Sequence, residues 1–143
     1  MMPDIRPATP DDLDRLLAMV HALAAHHGDP PACTRAALER DVFGPEGFLR
    51  VLIAEGGYAA LYPTASLHWG VRGMEMHHLF VAEAQRGTGL GGALVQAAIA
   101  QTRAEGGRFL TLGTHPGNAA ARDFYASLGF QPHHPGHRWR LKF

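Results

Sequence analysis

Residues 84–95, AQRGTGLGGALV, combine an arginine with four glycines directly before a predicted helix. The glycines are Gly87, Gly89, Gly91 and Gly92. Glycines let successive backbone amides point in one direction and leave no Cβ atom in the way of a ligand. The amides of a first helical turn have no intrahelical partners, and the helix dipole favours negative charge there. The stretch therefore predicts a binding site for a phosphate-bearing ligand.

Two ligand classes fit glycines at this spacing. Gly87, Gly89 and Gly92 match the G-x-G-x-x-G pattern of a dinucleotide site, which also requires an acidic residue about 20 positions later. The next predicted strand, residues 108–114, contains no carboxylate. The Gly-Lys-Ser/Thr sequence of a P-loop is also missing after the glycines. The sequence therefore disfavours a nucleotide-binding domain, although stabilisation by NAD would revive that interpretation.

The predicted strand that leads into the glycine loop, Met74–Val81, carries titratable side chains. Side chains alternate between the two faces of a strand. Alternation puts Glu75, His77, Leu79 and Val81 on one face of this strand. It puts Met74, Met76, His78 and Phe80 on the other face. An unperturbed imidazole has a pKa of about 6.5, so it accepts a proton near neutral pH. The histidines of this strand are therefore candidates for proton transfer.

Hydrophobic periodicity, helix caps and turn residues predict the elements that position these groups. In chain order, the predicted elements are strand 5–8, helix 9–27, helix 34–42, strand 48–53, strand 58–61, strand 74–81, helix 90–105, strand 108–113, helix 118–128 and strand 139–143. Pro63 follows the second strand of the predicted hairpin and limits how that strand can pair. An edge, bulge or break is therefore expected there. This order predicts a mixed α/β layer rather than repeated βαβ units.

Composition predicts one cytoplasmic domain spanning residues 1–143. Hydrophobic residues make up 46% and charged residues 18% of the chain, and its formal net charge is zero. This balance gives no electrostatic reason to expect nucleic acid or membrane binding. Asp4, Arg6 and Asp11 interrupt any signal peptide, and no apolar run approaches the roughly 20 residues that cross a bilayer. The lone Cys33 cannot form an internal disulfide.

Two motifs together resemble the GNAT family of N-acetyltransferases. Arg86-x-x-Gly89-x-Gly91 matches that family's R/Q-x-x-G-x-G/A loop signature. Residues 118–130 match its N-x-x-A-x-x-F/L-Y-x-x-x-G-F segment at the usual distance. Residues 78–81, HLFV, precede the loop in the same way, and the resemblance extends over nearly the whole chain. It implies the family's α/β fold, with a central, mostly antiparallel sheet flanked by helices.

The resemblance implies acetyl-CoA as cosubstrate. The loop amides would bind its pyrophosphate, and its pantetheine arm would pair with main-chain groups at the end of the preceding strand. Asn118 would contact the cofactor in addition to capping its helix. The implied set is Leu79, Phe80, Val81, Arg86, Gly87, Thr88, Gly89, Leu90, Gly91, Gly92 and Asn118. No metal is expected, because a site built from the scattered histidines, including His133, His134 and His137, would need coincident geometry.

The resemblance also assigns catalytic roles for direct attack of an amine in a ternary complex. Tyr125 matches the family tyrosine that protonates the coenzyme A thiolate, and a phenol stays protonated at neutral pH. It also belongs to an apolar helical stripe, so packing is the alternative role. Relatives often carry the base four residues before the valine that matches Val81, which makes His77 the first choice and Glu75 the second.

The predicted acceptor follows from positions at which this chain differs from a branch of the family that it resembles. The amino-terminal half resembles the diamine acetyltransferase branch, whose polycationic substrates call for acidic residues. This chain has Ala22, His27 and the pair His77-His78 at the corresponding places. We therefore predict a small primary amine rather than a polyamine. A non-catalytic acyl-CoA-binding sensor and acetylation of a protein amine are the alternatives, and a homodimer is expected from the family.

Overall fold

The structure is a computed structural model that describes residues 3–114, 117–132 and 139–143. The chain divides into two compact units, Met1–Gly113 and Thr114–Phe143. The first unit contains the sheet and the three helices packed on it, and the second contains the last helix. None of the helices in the described ranges is long and apolar enough to span a membrane.

The first unit is built on one five-stranded sheet, ordered β1-β2-β3-β4-β5. The strands are β1 (Arg6–Pro7), β2 (Arg50–Ala54), β3 (Gly57–Ser66), β4 (Val71–Val81) and β5 (Leu110–Leu112). The first four strands pair antiparallel, and β4 pairs parallel with β5. The predicted mixed, mostly antiparallel sheet is therefore confirmed.

Helices cover both faces of this sheet. A 3-10 turn at Pro10–Asp12 leads into α1 (Leu13–His26), α2 (Arg35–Leu38) continues into a π-helical turn at Glu39–Phe43, and α3 (Leu90–Ala104) follows the glycine loop. The buried face of α1 packs in one cluster with alternate sheet residues, including Val51, Ile53, Tyr58 and Phe80. The intervening residues Leu52 and Ala54 are also buried, on the side where α3 contacts β3 and β4.

Pro63 lies in a strand that continues through it. β3 runs to Ser66, and Pro63 is opposite Met74 of β4. The pairing of β3 with β2 ends at Leu61, so Pro63 occupies a stretch with one strand neighbour, where its missing N–H costs no ladder bond. The predicted edge is confirmed, and the sheet irregularity lies just before it, between Ala60 and Leu61.

The second unit is described by α4 (Ala119–Ser127) and the residues around it. The predicted cap is confirmed, since the Asn118 side chain accepts a hydrogen bond from the Ala121 amide at 3.0 Å. The prediction of a strand over residues 139–143 is wrong: they pair with no strand of the described chain, and Trp139 is 93% exposed. Their apolar alternation satisfies the strand pattern, but a strand also needs a neighbour for its backbone groups.

Candidate functional site

The second half of β4 has a strand on one side only. Its pairing with β5 ends at Met76, whereas its pairing with β3 continues to Val81. Between 77 and 81, main-chain groups on the β5 side therefore face no strand of the described residues. Leu79, Phe80 and Val81 lie in this stretch. Phe80 is itself buried against Tyr58, with ring centroids 5.9 Å apart, so its main chain is the part available to a ligand.

The glycine loop connects this open strand end to α3. A 3-10 turn at Glu83–Gln85 reverses the chain, and the Thr88 hydroxyl donates to the Gln85 carbonyl at 2.5 Å. Gly87 and Gly89 have φ of 77° and 88°, in the left-handed region that favours glycine. Gly89 is the N-cap of α3, and no side chain caps that helix. The first-turn amides of Leu90, Gly91 and Gly92 are therefore left for another acceptor.

Space remains beside the loop. A Cβ atom added at Gly87, Gly89 or Gly92 would meet no atom within 4 Å. Packing within the protein therefore does not require glycine at Gly92, whose φ is also compatible with other residues. The Leu90 side chain is 3% exposed and lies close to Gly57 of β3, so this residue too offers its main chain. Arg86 is exposed, and its Nε donates a long hydrogen bond to the Val81 carbonyl at 3.4 Å.

A β-bulge in β4 changes the predicted alternation. His78 pairs with Ala60 and Met76 pairs with Leu61, so His77 is the additional residue on its strand. A bulge leaves its extra residue unpaired and turns the following side chains. The rings of His77 and His78 consequently stack, with centroids 4.2 Å apart and planes 14° apart. The prediction that these two side chains lie on opposite faces is therefore wrong.

His77 is exposed and lines an open groove with a volume of about 1030 Å³. The groove lies between the bulge, the π-helical turn and the segment that follows it. Its apolar wall includes Phe48 and Tyr62, and its charged residues are Arg40, Asp41 and Glu46. The Tyr62 ring meets the His77 ring edge-on, with centroids 6.0 Å apart. His77 can therefore reach a molecule held in this groove.

His78 differs from its neighbour because it is half-buried and hydrogen-bonded. Its Nδ1 lies 3.0 Å from the hydroxyl oxygen of Tyr58, which is 1% exposed. Burial, with smaller effects of His77 and His27, lowers the pKa of His78 to about 4. Burial also raises the pKa of Tyr58, so its hydroxyl stays protonated. Tyr58 was not predicted as a site residue. Alternation along two paired strands, which puts Tyr58 and His78 on one face, could have indicated this contact.

Glu75 lies before the bulge, where β4 still has β5 beside it. Its carboxylate accepts a hydrogen bond from the Thr111 hydroxyl of β5. Both side chains are partly buried at this strand pair. This carboxylate is thus already engaged across the sheet, whereas His77 is open to the groove.

Tyr125 and Asn118 lie in the second unit. The Tyr125 ring contacts Phe124 and Phe130, with centroids 5.1 and 5.7 Å apart. Burial raises the pKa of Tyr125, so the phenol carries its proton at neutral pH. This is the protonation state that a proton donor requires.

The described residues contain no group of three or more histidine, cysteine, aspartate or glutamate side chains placed to hold a metal ion. His133, His134 and His137, which belong to the scattered histidines named above, lie outside the described residues, as does His115.

Comparisons with known proteins agree with this geometry. Residues 15–130 match the model of the acetyltransferase (GNAT) family. The chain is 34% identical over 136 residues to mycothiol acetyltransferase of Pseudarthrobacter chlorophenolicus, covering 88% of this chain and 42% of that protein. It is 40% identical over 62 residues to an L-methionine sulfoximine/L-methionine sulfone acetyltransferase of Pseudomonas paraeruginosa, covering 43% of this chain and 36% of that protein.

Solved structures extend the likeness over the whole fold. A crystal structure from Arthrobacter sp. FB24, classed as an acetyltransferase, matches with a TM-score of 0.79 and 25% identity. The match covers 99% of this chain and 94% of that one. The matched segment spans less than half the length of either curated relative.

Proposed function

This chain belongs to the acetyltransferase (GNAT) family, and from that membership we propose that it transfers an acetyl group from acetyl-CoA to the primary amine of a small molecule. The observation that carries the proposal is the open half of β4 leading into an uncapped helix through left-handed glycines. A main-chain edge suits an extended amide-bearing arm, and free first-turn amides suit a pyrophosphate. Relatives named after acetyl transfer to small molecules support the acceptor class.

Acetyl-CoA would be held largely by main-chain groups. The amides of Leu90, Gly91 and Gly92 would bind the pyrophosphate, where the helix dipole adds to the attraction. Gly87, Thr88 and Gly89 shape that loop, and Arg86 supplies a cation beside it. Leu79, Phe80 and Val81 would pair with the pantetheine arm, and the Asn118 side chain would also contact the cofactor.

Acetyl transfer would proceed by direct attack. The amine nitrogen forms a bond to the thioester carbonyl carbon, and the carbon–sulfur bond then breaks. His77 accepts the proton that the amine loses, because its ring is exposed to the groove and a neutral imidazole has one nitrogen that can accept a proton. Tyr125 donates a proton to the departing thiolate, which its protonated phenol can supply. Glu75 is the second candidate base.

The acceptor would occupy the groove beside His77. Histidines take the places where the diamine branch calls for carboxylates, and in the groove Asp41 is already paired with Arg40 at 2.8 Å, so we propose a small primary amine rather than a polyamine. A cytoplasmic location and a homodimer remain part of this proposal. An acetylation screen in which spermidine or spermine was the best acceptor would contradict the assignment of the acceptor class.

The decisive experiment measures thiol release from acetyl-CoA with a panel of small amines, together with calorimetric affinity for coenzyme A. Gly89→Ala is expected to weaken that affinity by about tenfold or more, because a Cβ would occupy the space beside the amides. Gly70→Ala is the matched control, since Gly70 has φ of 67°, also has nothing within 4 Å, and lies in the distant β3–β4 turn.

Both variants carry similar backbone strain, so a difference in affinity reports the loop and not folding. Equal affinities for the two variants would contradict the cofactor site. Tight binding of coenzyme A without thiol release for any amine would instead indicate the non-catalytic acyl-CoA-binding sensor.

A further inference from the structure

We infer that Tyr58 is a positioning residue that holds His78 in its neutral form with the proton on Nε2, so that His78 donates a hydrogen bond to the bound acceptor while His77 accepts the proton. The inference rests on the proposed function for the identity of the bound molecule. The placement of the proton on His78 depends only on the geometry around Tyr58.

The Tyr58 hydroxyl decides which nitrogen of His78 carries the proton. Tyr58 is 1% exposed, so its hydroxyl proton needs an acceptor within the protein. Among the described residues, the partner of this hydroxyl is His78 Nδ1, at 3.0 Å. The hydroxyl therefore donates and Nδ1 accepts through its lone pair. A neutral imidazole has one N–H, which is consequently on Nε2.

Nε2 is left for a ligand. The described residues provide no hydrogen-bond partner for it, and it is not among the buried polar atoms that lack a partner. His78 is half-buried, and Nε2 is the ring nitrogen that Tyr58 does not engage. The His78 ring stacks on His77, which lines the groove. We therefore place a donor on His78 beside the groove-lining ring of His77.

The groups that act on His78 favour its neutral form. Tyr58 of β3 donates to it, His77 of β4 stacks on it, and His27 at the end of α1 adds a third titratable group. Cys33, which precedes α2, has an electrostatic effect on Tyr58 that raises the pKa of its hydroxyl. None of these groups is a carboxylate that would stabilise an imidazolium. Two stacked imidazolium rings would repel each other, so a neutral His78 leaves His77 free to take the proton.

A neutral imidazole donor suits acetyl transfer. It can hold an oxygen of the acceptor without competing for the amine proton, and its donor state does not change across the working pH range. Two adjacent histidines would therefore have separate roles: His78 binds through Nε2–H, and His77 accepts the proton. The bulge makes this possible, because it brings the two rings to one side of the strand.

The first test is nitrogen NMR of the histidine rings in the unliganded protein. His78 is expected as the Nε2–H form, without titration above about pH 5. In Tyr58→Phe, where the ring remains and the hydroxyl is lost, His78 is expected to populate both tautomers, while burial, the main cause of its low pKa, remains. Tyr62→Phe is the control, because the Tyr62 ring meets the His77 ring, whereas the hydrogen bond to His78 comes from Tyr58. An Nδ1–H form of His78 in the wild type would overturn the inference.

The second test separates binding from proton transfer. His78→Leu removes the donor and is expected to raise the KM for the acceptor about tenfold, with the KM for acetyl-CoA unchanged. His78→Gln, whose amide can replace Nε2–H, is expected to recover most of this loss. The control His68→Gln changes an exposed histidine of the β3–β4 turn. Equal acceptor KM values for wild type and His78→Leu would overturn the donor role.

The two proposals fail in different ways. If no amine releases thiol, the proposed function is wrong, and the NMR experiment still decides the Tyr58–His78 assignment. If amines are acetylated and Tyr58→Phe leaves both the His78 tautomer and the pH dependence of kcat/KM unchanged, the inference is wrong and the acetyltransferase proposal stands. Thermal unfolding of each variant separates these outcomes from loss of the fold.

Discussion

Two neighbouring histidines show how strongly environment decides the chemistry of a residue. His77 and His78 have the same intrinsic acidity, and their rings stack. His77 is exposed to a groove, whereas burial lowers the pKa of His78 to about 4 and Tyr58 hydrogen-bonds its Nδ1. His78 is therefore poorly suited to accept a proton near neutral pH, whereas the ring of His77 is open to the groove. Identical side chains at adjacent positions therefore support different roles.

The phenol of Tyr125 gives a testable prediction about one functional group. Tyr125→Phe is expected to lower kcat for thiol release about 100-fold, because the phenol is the proposed donor to the thiolate. Affinity for coenzyme A is expected to stay unchanged, since the ring and its contacts with Phe124 and Phe130 remain. Ser127→Ala in the same helix is the control, as the partner of the Ser127 hydroxyl within the described ranges is the Phe124 carbonyl. Unchanged turnover in Tyr125→Phe would leave packing as the role of Tyr125.

Among the secondary-structure elements, β4 contributes most of the candidate site, and its strand neighbours change along its length. β4 begins between β3 and β5, passes through the bulge at His77, and ends with β3 as its strand neighbour. Glu75 lies in the first part, where Thr111 engages it, and Leu79–Val81 lie in the last. The strand therefore separates a closed, packed end from an open end that continues into the glycine loop.

The packed end depends on a glycine. A Cβ atom at Gly73 would overlap the Phe109 ring, which covers β4 just before β5. Gly73→Ala is expected to lower the free energy of unfolding by about 1 to 3 kcal/mol, because overpacking forces the ring or the strand to shift. Urea unfolding would measure this change.

Gly113→Ala is the matched control for Gly73→Ala. Gly113 follows β5, has nothing within 4 Å of its added Cβ, and has no left-handed φ. Its substitution is expected to change the free energy of unfolding by less than about 0.5 kcal/mol. A loss as large in Gly113→Ala as in Gly73→Ala would show that the Phe109 contact is not the cause.

At the scale of the whole molecule, a buried carboxylate ties the start of the chain to the first helix. Asp12 is 5% exposed and accepts from Arg6 at 2.7 and 2.9 Å, from Arg15 at 2.7 Å and from the Thr9 amide at 2.7 Å. The Arg6 guanidinium, with the Thr9 amide and Arg15, holds the pKa of Asp12 well below its usual range. This cluster joins β1 to α1 and so anchors the edge of the sheet.

Asp12→Asn is expected to lower the free energy of unfolding by about 2 kcal/mol at pH 7, because buried charge-assisted hydrogen bonds are lost. The folded pKa of Asp12 is depressed, so its stabilisation is full above its unfolded pKa of about 3.9 and is lost as pH falls below that value. Urea unfolding at pH 7, 5 and 3 should show a constant difference from wild type at the first two and a smaller one at pH 3. An equal difference at pH 3 would contradict the role of the ionised carboxylate.

Local signals located most elements. Helix α3 begins at Leu90 as the glycine loop predicts, and α4 begins after its Asn118 cap. The prediction of a strand at residues 139–143 was wrong because alternation shows which residues are apolar. It does not show whether a neighbouring strand exists. The bulge was missed for a related reason: its extra residue is defined by pairing with β3, and one strand's sequence contains no record of its register.

Short-range spacing in the sequence was sufficient to predict the family, the order of helices and strands through α4, and a glycine loop suited to a phosphate-bearing cofactor. Which side chains meet depends on the tertiary structure. Thr111 engages Glu75 and Tyr58 engages His78 across paired strands, from residues 36 and 20 positions away. The bulge then places His77 beside His78 and toward the groove. Burial and pairing act between distant residues, so the separate roles of these histidines become visible only in the folded chain.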